Sequence, residues 1–262
     1  MLSWRTKKQF TVLIILAIII LAIFFRYGLK LLPSPTCFDN RKNQGEFEAD
    51  CGGPCAPCEL KNPKPISIFW ARIAKVRPQA YDVATEIENN NEVLSSVNID
   101  YTFTLFEDAV PVAVKKGKTF IFPRERLHII ETNLETTREP TRVEFKINNI
   151  EWQFKAAEIP FLAVELKEFR VEEENGIERG IIEARIANRS PFNLREMEVR
   201  FVALDEEGNL LGANRVSVEN FLSSSQRTVK SIWPKPFLRE VAKIEIEPRV
   251  NIFDPAVILK PQ

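Results

Sequence analysis

Residues Phe10 to Phe25 read FTVLIILAIIILAIFF, sixteen positions without a charge and with Thr11 as the only polar side chain. A run of this kind belongs in a lipid layer or a fully apolar core, and it lacks the amphipathic period of a core helix in a small domain. As a helix rising ~1.5 Å per residue it covers roughly 24 Å, somewhat short of a ~30 Å hydrocarbon layer. Leu2, Trp4, Tyr27, Leu29, Leu31 and Leu32 lengthen it at the interfaces, with Arg5, Lys7, Lys8, Arg26 and Lys30 placed to snorkel. It ends in Phe24-Phe25-Arg26-Tyr27, without the small residues of a signal-peptide cut, and Cys37 lies too far away for a lipoprotein signal. The expectation is an uncleaved single-pass anchor over residues 10–30. Basic residues precede it, so residues 1–9 are expected in the cytoplasm and everything from residue 31 onward outside.

Charge fits that placement. The chain carries 36 basic and 36 acidic residues, and the five basic ones named above all lie before residue 31. Residues 31–262 therefore keep 31 basic against 36 acidic, a net charge of −5, which argues against a nucleic-acid surface. Pro33-Ser34-Pro35 ends the helix and opens a stalk with a cysteine-rich module, residues 31–61. Its four cysteines, Cys37, Cys51, Cys55 and Cys58, are the only ones in the chain and are spaced C-x13-C-x3-C-x2-C. With too little apolar material for a core, crosslinks or a metal must hold this segment. Two disulfides are the simplest reading outside the cytoplasm, and Pro57 with its short loop disfavours Cys55–Cys58. That leaves Cys37 with Cys55 or Cys58, and Cys51 with the other. Asp39, Asn43, Glu46 and Asp50 are interleaved with the cysteines and form a candidate Ca2+ set of hard oxygen ligands. A four-cysteine zinc site is disfavoured by oxidising surroundings. Cys55-Ala56-Pro57-Cys58 resembles a thioredoxin-type redox motif, but Pro63 and Pro65 follow where that motif needs a helix.

From Ile66 the chain reads as strands. Period-2 alternation marks Ile99-Tyr101-Phe103-Leu105, Val143-Phe145-Ile147, Leu162-Val164-Leu166, Ile182-Ala184-Ile186 and Ile244-Ile246. Asn175-Gly176 predicts a type I′ hairpin, and Gly208 a positive φ within a longer turn. One helical turn is expected around Pro236 to Glu240. The strands repeat: Asn89 precedes Phe103 as Asn188 precedes Phe201, at offsets of 99 and 98 residues, and a loop aromatic follows in each half, Phe122 and Phe221. The fold expected is mainly β, with two tandem antiparallel sandwiches over residues 62–155 and 156–262.

Phe103-x-Leu105-Phe106-Glu107, Phe201-x-Ala203-Leu204-Asp205 and the turn Asn188-Arg189-Ser190-Pro191-Phe192 resemble the F-x-L-Y-D and late-embryogenesis-abundant type 2 group of immunoglobulin-like sandwiches. The cysteine segment, residues 37–58, is similar to C-x-D…DCGG-x-C-x2-C segments of secreted and surface-anchored bacterial proteins. These likenesses imply extracytoplasmic modules that bind or build, with no catalytic residues to carry over.

A search for enzyme chemistry supports that. His128 is the only histidine, which rules out multi-histidine metal centres, and there is no G-x-S-x-G, G-x-G-x-x-G or phosphate-loop sequence among nine glycines. Glu172-Glu173-Glu174 reads as a solvated hairpin tip, and Asn188-Arg189-Ser190 is formally a glycosylation sequon. The expected function is a single-pass, membrane-anchored binding or structural module with a protein partner on the outer side. The alternative is an accessory subunit of a secretion, pilus or envelope assembly, and a thiol redox protein comes third. No cofactor is expected beyond the Ca2+ candidate.

Overall fold

The computed structural model describes residues 4–24, 26, 36–154 and 158–259, without the side chains of residues 4–8 and 10–12. Helix α1 (Trp4–Ile23) opens the chain, and the described apolar side chains from Leu13 to Phe24 are exposed. Counted over the described residues, no helix is long and apolar enough to cross a membrane. That stretch is about 18 Å at ~1.5 Å per residue. The side chains of Phe10 to Val12, with Phe25 and residues 27–30, complete the expected span and lie outside the described residues.

The chain divides into two compact units, Met1–Cys58 and Glu59–Gln262. In the first, Cys37 is bonded to Cys55 and Cys51 to Cys58, with Cα separations of 5.6 and 4.9 Å. This crossed pairing is one of the two favoured by the spacing. The loop between the cysteines turns through positive φ at Asn40, Gln44, Gly45, Asp50, Gly52 and Gly53. At Gly53 a Cβ would stand 2.5 Å from the Gly45 carbonyl oxygen, so glycine is needed there for space as well as for φ.

The second unit is two sandwiches of one topology. Sheet β1 (Ser67–Arg77), β2 (Ala80–Glu88) and β5 (Arg126–Glu135) faces sheet β4 (Val110–Ile121), β3 (Leu94–Glu107) and β6 (Arg142–Phe154). The second half repeats this with β7 (Leu162–Glu174), β8 (Ile177–Asn188) and β11 (Gln226–Trp233) in one sheet, and β10 (Leu210–Phe221), β9 (Asn193–Leu204) and β12 (Lys243–Arg249) in the other. A short β13 (Ile258–Leu259) adds to β9. All pairs are antiparallel. The alternating residues fill the cores as expected: Ile99, Tyr101, Phe103 and Leu105 in the first, Ile182, Ala184 and Ile186 in the second.

The repeated asparagines explain the repeated sequence. Asn89 Nδ2 donates to the carbonyls of Leu94 and Phe122, and Asn188 Nδ2 to those of Phe192, Phe221 and Leu222. Asn91 N–H returns to Asn89 Oδ1, and Ser190 N–H and Oγ–H to Asn188 Oδ1. Each buried amide thus ties the end of its strand to the loop aromatic of its own sandwich, satisfying carbonyls that would otherwise be orphaned. The Asn188 sequon is therefore interior structure.

Two expectations are corrected. Pro236 to Glu240 form bends and irregular backbone, because Pro234 and Pro236 interrupt the amide series a helical turn needs. Leu162-Val164-Leu166 does not bury as one face: a register shift between Val164 and Leu166 leaves both about a third exposed, and Leu162 and Phe169 pack on the core instead. The hairpin at Asn175-Gly176 has positive φ at both residues, and Gly208 has φ 78°, as expected.

Candidate binding groove and the charged seam

The outer face of sheet β1-β2-β5 packs on the outer face of sheet β10-β9-β12. Alternation on each strand sets what meets there. On β9, Phe201 and Ala203 face their own core, while Val202 and Leu204 face the first sandwich. On β5, Leu127 and Ile129 point inward, and His128 and Ile130 point into the seam. Ala74, Ala84 and Ala213 let the two sheets approach closely around Ile130, Val202, Leu204 and Leu210, with Trp70 closing one side. Each large apolar side chain buried in this way contributes about 1.5–3 kcal/mol.

Charged groups flank this apolar patch. On β12, Ile244 and Ile246 pack on the second core, and Glu245, Glu247 and Arg249 turn to the first sandwich. Glu247 receives both the His128 ring nitrogen Nδ1, at 2.5 Å, and the His128 backbone N–H, at 3.0 Å. Glu245 Oε2 stands 2.9 Å from Nε2, but off the direction of a hydrogen bond, so Nε2 is buried without one. Burial disfavours a charged ring here. The two carboxylates outweigh it and raise the His128 pKa to about 9, while His128 and Lys243 hold Glu245, against its burial, at about 2. Arg200 donates to the His128 carbonyl oxygen and to Glu198.

Arg249 makes the second anchor. Its Nε and one terminal nitrogen each reach Glu125 at 3.0 Å, and that terminal nitrogen also donates to the Phe120 carbonyl. The guanidinium lies 4.1 Å over the Phe120 ring, and Phe120 and Phe122 pack against Phe253. Glu125 Oε2 also accepts the Phe122 N–H. The loop after β4 of the first sandwich is therefore gripped by β12 and the C-terminal segment of the second.

Beside the seam opens a groove of about 550 Å3. Its floor is apolar, with Ile73, Leu210, Leu211, Trp233 and Phe237, and Lys75, Arg77, Asp205 and Arg239 stand on its walls. Gly212 makes the floor possible: a Cβ there would meet the Trp233 and Phe237 rings at 2.6 and 2.7 Å. Asp205 accepts from Asn209 and, at 2.7 Å, from Arg239, and these bonds lower its pKa against its burial. Leu238 on the rim is fully exposed. An apolar floor with charged walls is the form of a site that takes a side chain or extended segment of a partner.

The residues singled out in the cysteine module are brought together, but mostly by bonds to one another's backbone. Asp50 accepts the Asp39 and Asn40 N–H groups, Asp39 accepts Arg41 N–H and Asn43 Nδ2, and Glu46 accepts the Asn43 and Asp50 N–H groups. Glu46 is buried, and Asn43 Oδ1 is buried without a partner. These side chains hold the loop's left-handed turns in place. Cys37, Cys51, Cys55 and Cys58 are all consumed in disulfides.

Sequence reasoning used His128 to rule out a multi-histidine centre and missed its carboxylate partners. The available signal was the failure of alternation: Phe201-Val202-Ala203-Leu204 and Ile129-Ile130 are continuous apolar runs, as in strands covered on both faces. Comparison with protein-family models finds no match, and comparison with curated proteins finds none.

Proposed function

We propose that this is an extracytoplasmic protein, held at a membrane by residues 10–30, whose tandem immunoglobulin-like sandwiches bind a protein partner rather than catalyse a reaction. The observation that carries the proposal is the groove beside the seam. It is built from β1 of the first sandwich and from the Asp205–Leu211 and Trp233–Arg239 segments of the second. A shared apolar patch and buried ion pairs fix these walls, where tandem domains by default move relative to one another. Binding to such a preset groove avoids the ordering cost that a hinged pair imposes. The basic residues before the apolar run and the two disulfides support the outward orientation.

A photo-crosslinking residue at Leu238 in intact cells tests the groove. It should capture a discrete partner, capture should disappear in Phe237→Asp, and the same probe at the exposed Leu222, beyond the end of β10 opposite the groove's Leu210, should capture nothing comparable. Equal capture from both positions removes the groove from the account. Protease added to intact, wall-stripped cells should digest residues 60–262, and full protection of that region reverses the orientation.

A further inference from the structure

We propose that Glu86, His128 and Glu245 form a zinc site that clamps the two sandwiches together across the seam. One ligand atom from each of the three lies within 4.8 Å of the others. Ligand atoms of a tetrahedral zinc with bonds of ~2.0–2.2 Å stand roughly 3.4 Å apart, so small side-chain rotations close the set. The donor types suit zinc, one imidazole nitrogen and two carboxylate oxygens, with a fourth position left for water.

Two further features separate this trio from a chance group of carboxylates. His128 is 2% exposed, and its Nε2 points among the carboxylates without a hydrogen bond. Its Nδ1 is held by Glu247 at 2.5 Å. Zinc displaces the Nε2 proton of the charged ring, while Glu247 on Nδ1 holds the proton that remains, so the ring presents its Nε2 lone pair and is a better donor, as with the outer partners of zinc-bound histidines. Glu247 is thus a positioning residue. Trp70 Nε1 donates to Glu86 Oε2 at 2.9 Å and orients that carboxylate in the same way.

Access and charge agree. A cleft of about 330 Å3, lined by Trp70, Glu86, Arg126, Lys243 and Glu245, opens onto the site and gives the ion a path and its water a place. Arg126 and Lys243 now pair with Glu86 and Glu245, and their side chains are 52% and 64% exposed, so both can turn to solvent as a cation enters. Glu86 and His128 belong to the first sandwich and Glu245 to the second, so an ion bound by all three stabilises the docked arrangement.

The chain has a single histidine, which makes the test direct. Zinc is titrated into the full-length chain, labelled with 15N in the histidine ring and with both disulfides intact. The expected result is one bound zinc per chain, a shift of the ring resonances complete at that stoichiometry with Nε2 as the ligated nitrogen, and a rise in the unfolding temperature. His128→Gln and Glu245→Gln should abolish that event, and Glu247→Gln should weaken it about 10–100-fold without changing the stoichiometry. Ring resonances that stay still at about 100 μM zinc overturn the proposal. So does binding that is unchanged in Glu245→Gln, which would mean an adventitious surface ion. The wild-type ring spectrum decides even where a variant folds poorly.

Discussion

The bond between Arg249 and Glu125 should decide whether the sandwiches unfold together. The Arg249 side chain is 4% exposed and that of Glu125 20%, and two bonds of 3.0 Å join them. Burial pulls the guanidinium below its usual pKa and Glu125 opposes that, as expected of a desolvated pair that survives only because both partners are present. Arg249→Met keeps most of the volume over Phe120 but strands the Glu125 carboxylate with the Phe122 N–H. Breaking a buried pair from one side costs about 3–5 kcal/mol. Adding Glu125→Gln removes the stranded charge, so the double variant should recover about 1.5–3 kcal/mol relative to the sum of the single changes. Urea unfolding of the full-length chain is well reported, because Trp152 packs on the first core, Trp233 in the second and Trp70 beside the seam. The wild type should show one transition, and Arg249→Met an earlier and broader one that resolves the two sandwiches. A loss below about 1 kcal/mol, or strict additivity in the double variant, would show that the pair contributes nothing to the docking.

Three other outcomes follow from single residues. Asp82 is buried on β2 and accepts the Asn133 and Ala213 N–H groups, yet desolvation raises its pKa from 3.8 to about 6. Its contribution is fully present below pH ~4 and is lost as pH rises through about 6, a cost of about 3 kcal/mol at ~1.4 kcal/mol per unit. Asp82→Asn should therefore raise the unfolding temperature at pH 8 and lose that advantage at pH 4, whereas a constant difference across pH would contradict the assignment. Gly212→Ala, which drives a methyl into Trp233 and Phe237, should cost about 1–3 kcal/mol in urea unfolding and perturb Trp233 fluorescence. Asp50→Ala removes the acceptor for two N–H groups and should scramble disulfide pairing on oxidative refolding, read by peptide mapping under non-reducing conditions.

Much of this architecture was legible because it follows from local rules. Asn175-Gly176 demanded a hairpin, Ile182-Ala184-Ile186 demanded a buried face, and four cysteines in a segment without a core demanded crosslinks. The seam obeys rules that act only between elements distant in sequence. Ile244-Glu245-Ile246-Glu247 alternates cleanly and reads as a strand with one wet face, and nothing local says that Glu247 will meet a histidine 119 residues away. The candidate oxygens of the cysteine loop show the converse. Their spacing was visible, but what they bond to is set by the left-handed turns at Asn40, Gln44 and Asp50, which leave several N–H groups pointing inward.

The composition of the seam also bears on why the groove lies where it does. Two sandwiches of one topology could dock through many faces, and an all-apolar patch would tolerate sliding, since apolar contact carries no direction. Here the apolar centre of Ala74, Ala84, Ile130, Val202, Leu204, Leu210 and Ala213 is pinned at separate points by Arg249 on Glu125 and by Glu247 on His128. Each pin leaves a buried charge unpaired if the sheets slip by a residue, so the register carries an energetic penalty of several kcal/mol against its neighbours. That fixed register is what brings β1 of one half against the Trp233–Arg239 segment of the other, and with it the walls of the groove. A variant that keeps both sandwiches folded but frees the register, such as Arg249→Met, should for that reason lose partner capture at Leu238 before it loses its β-sheet spectrum.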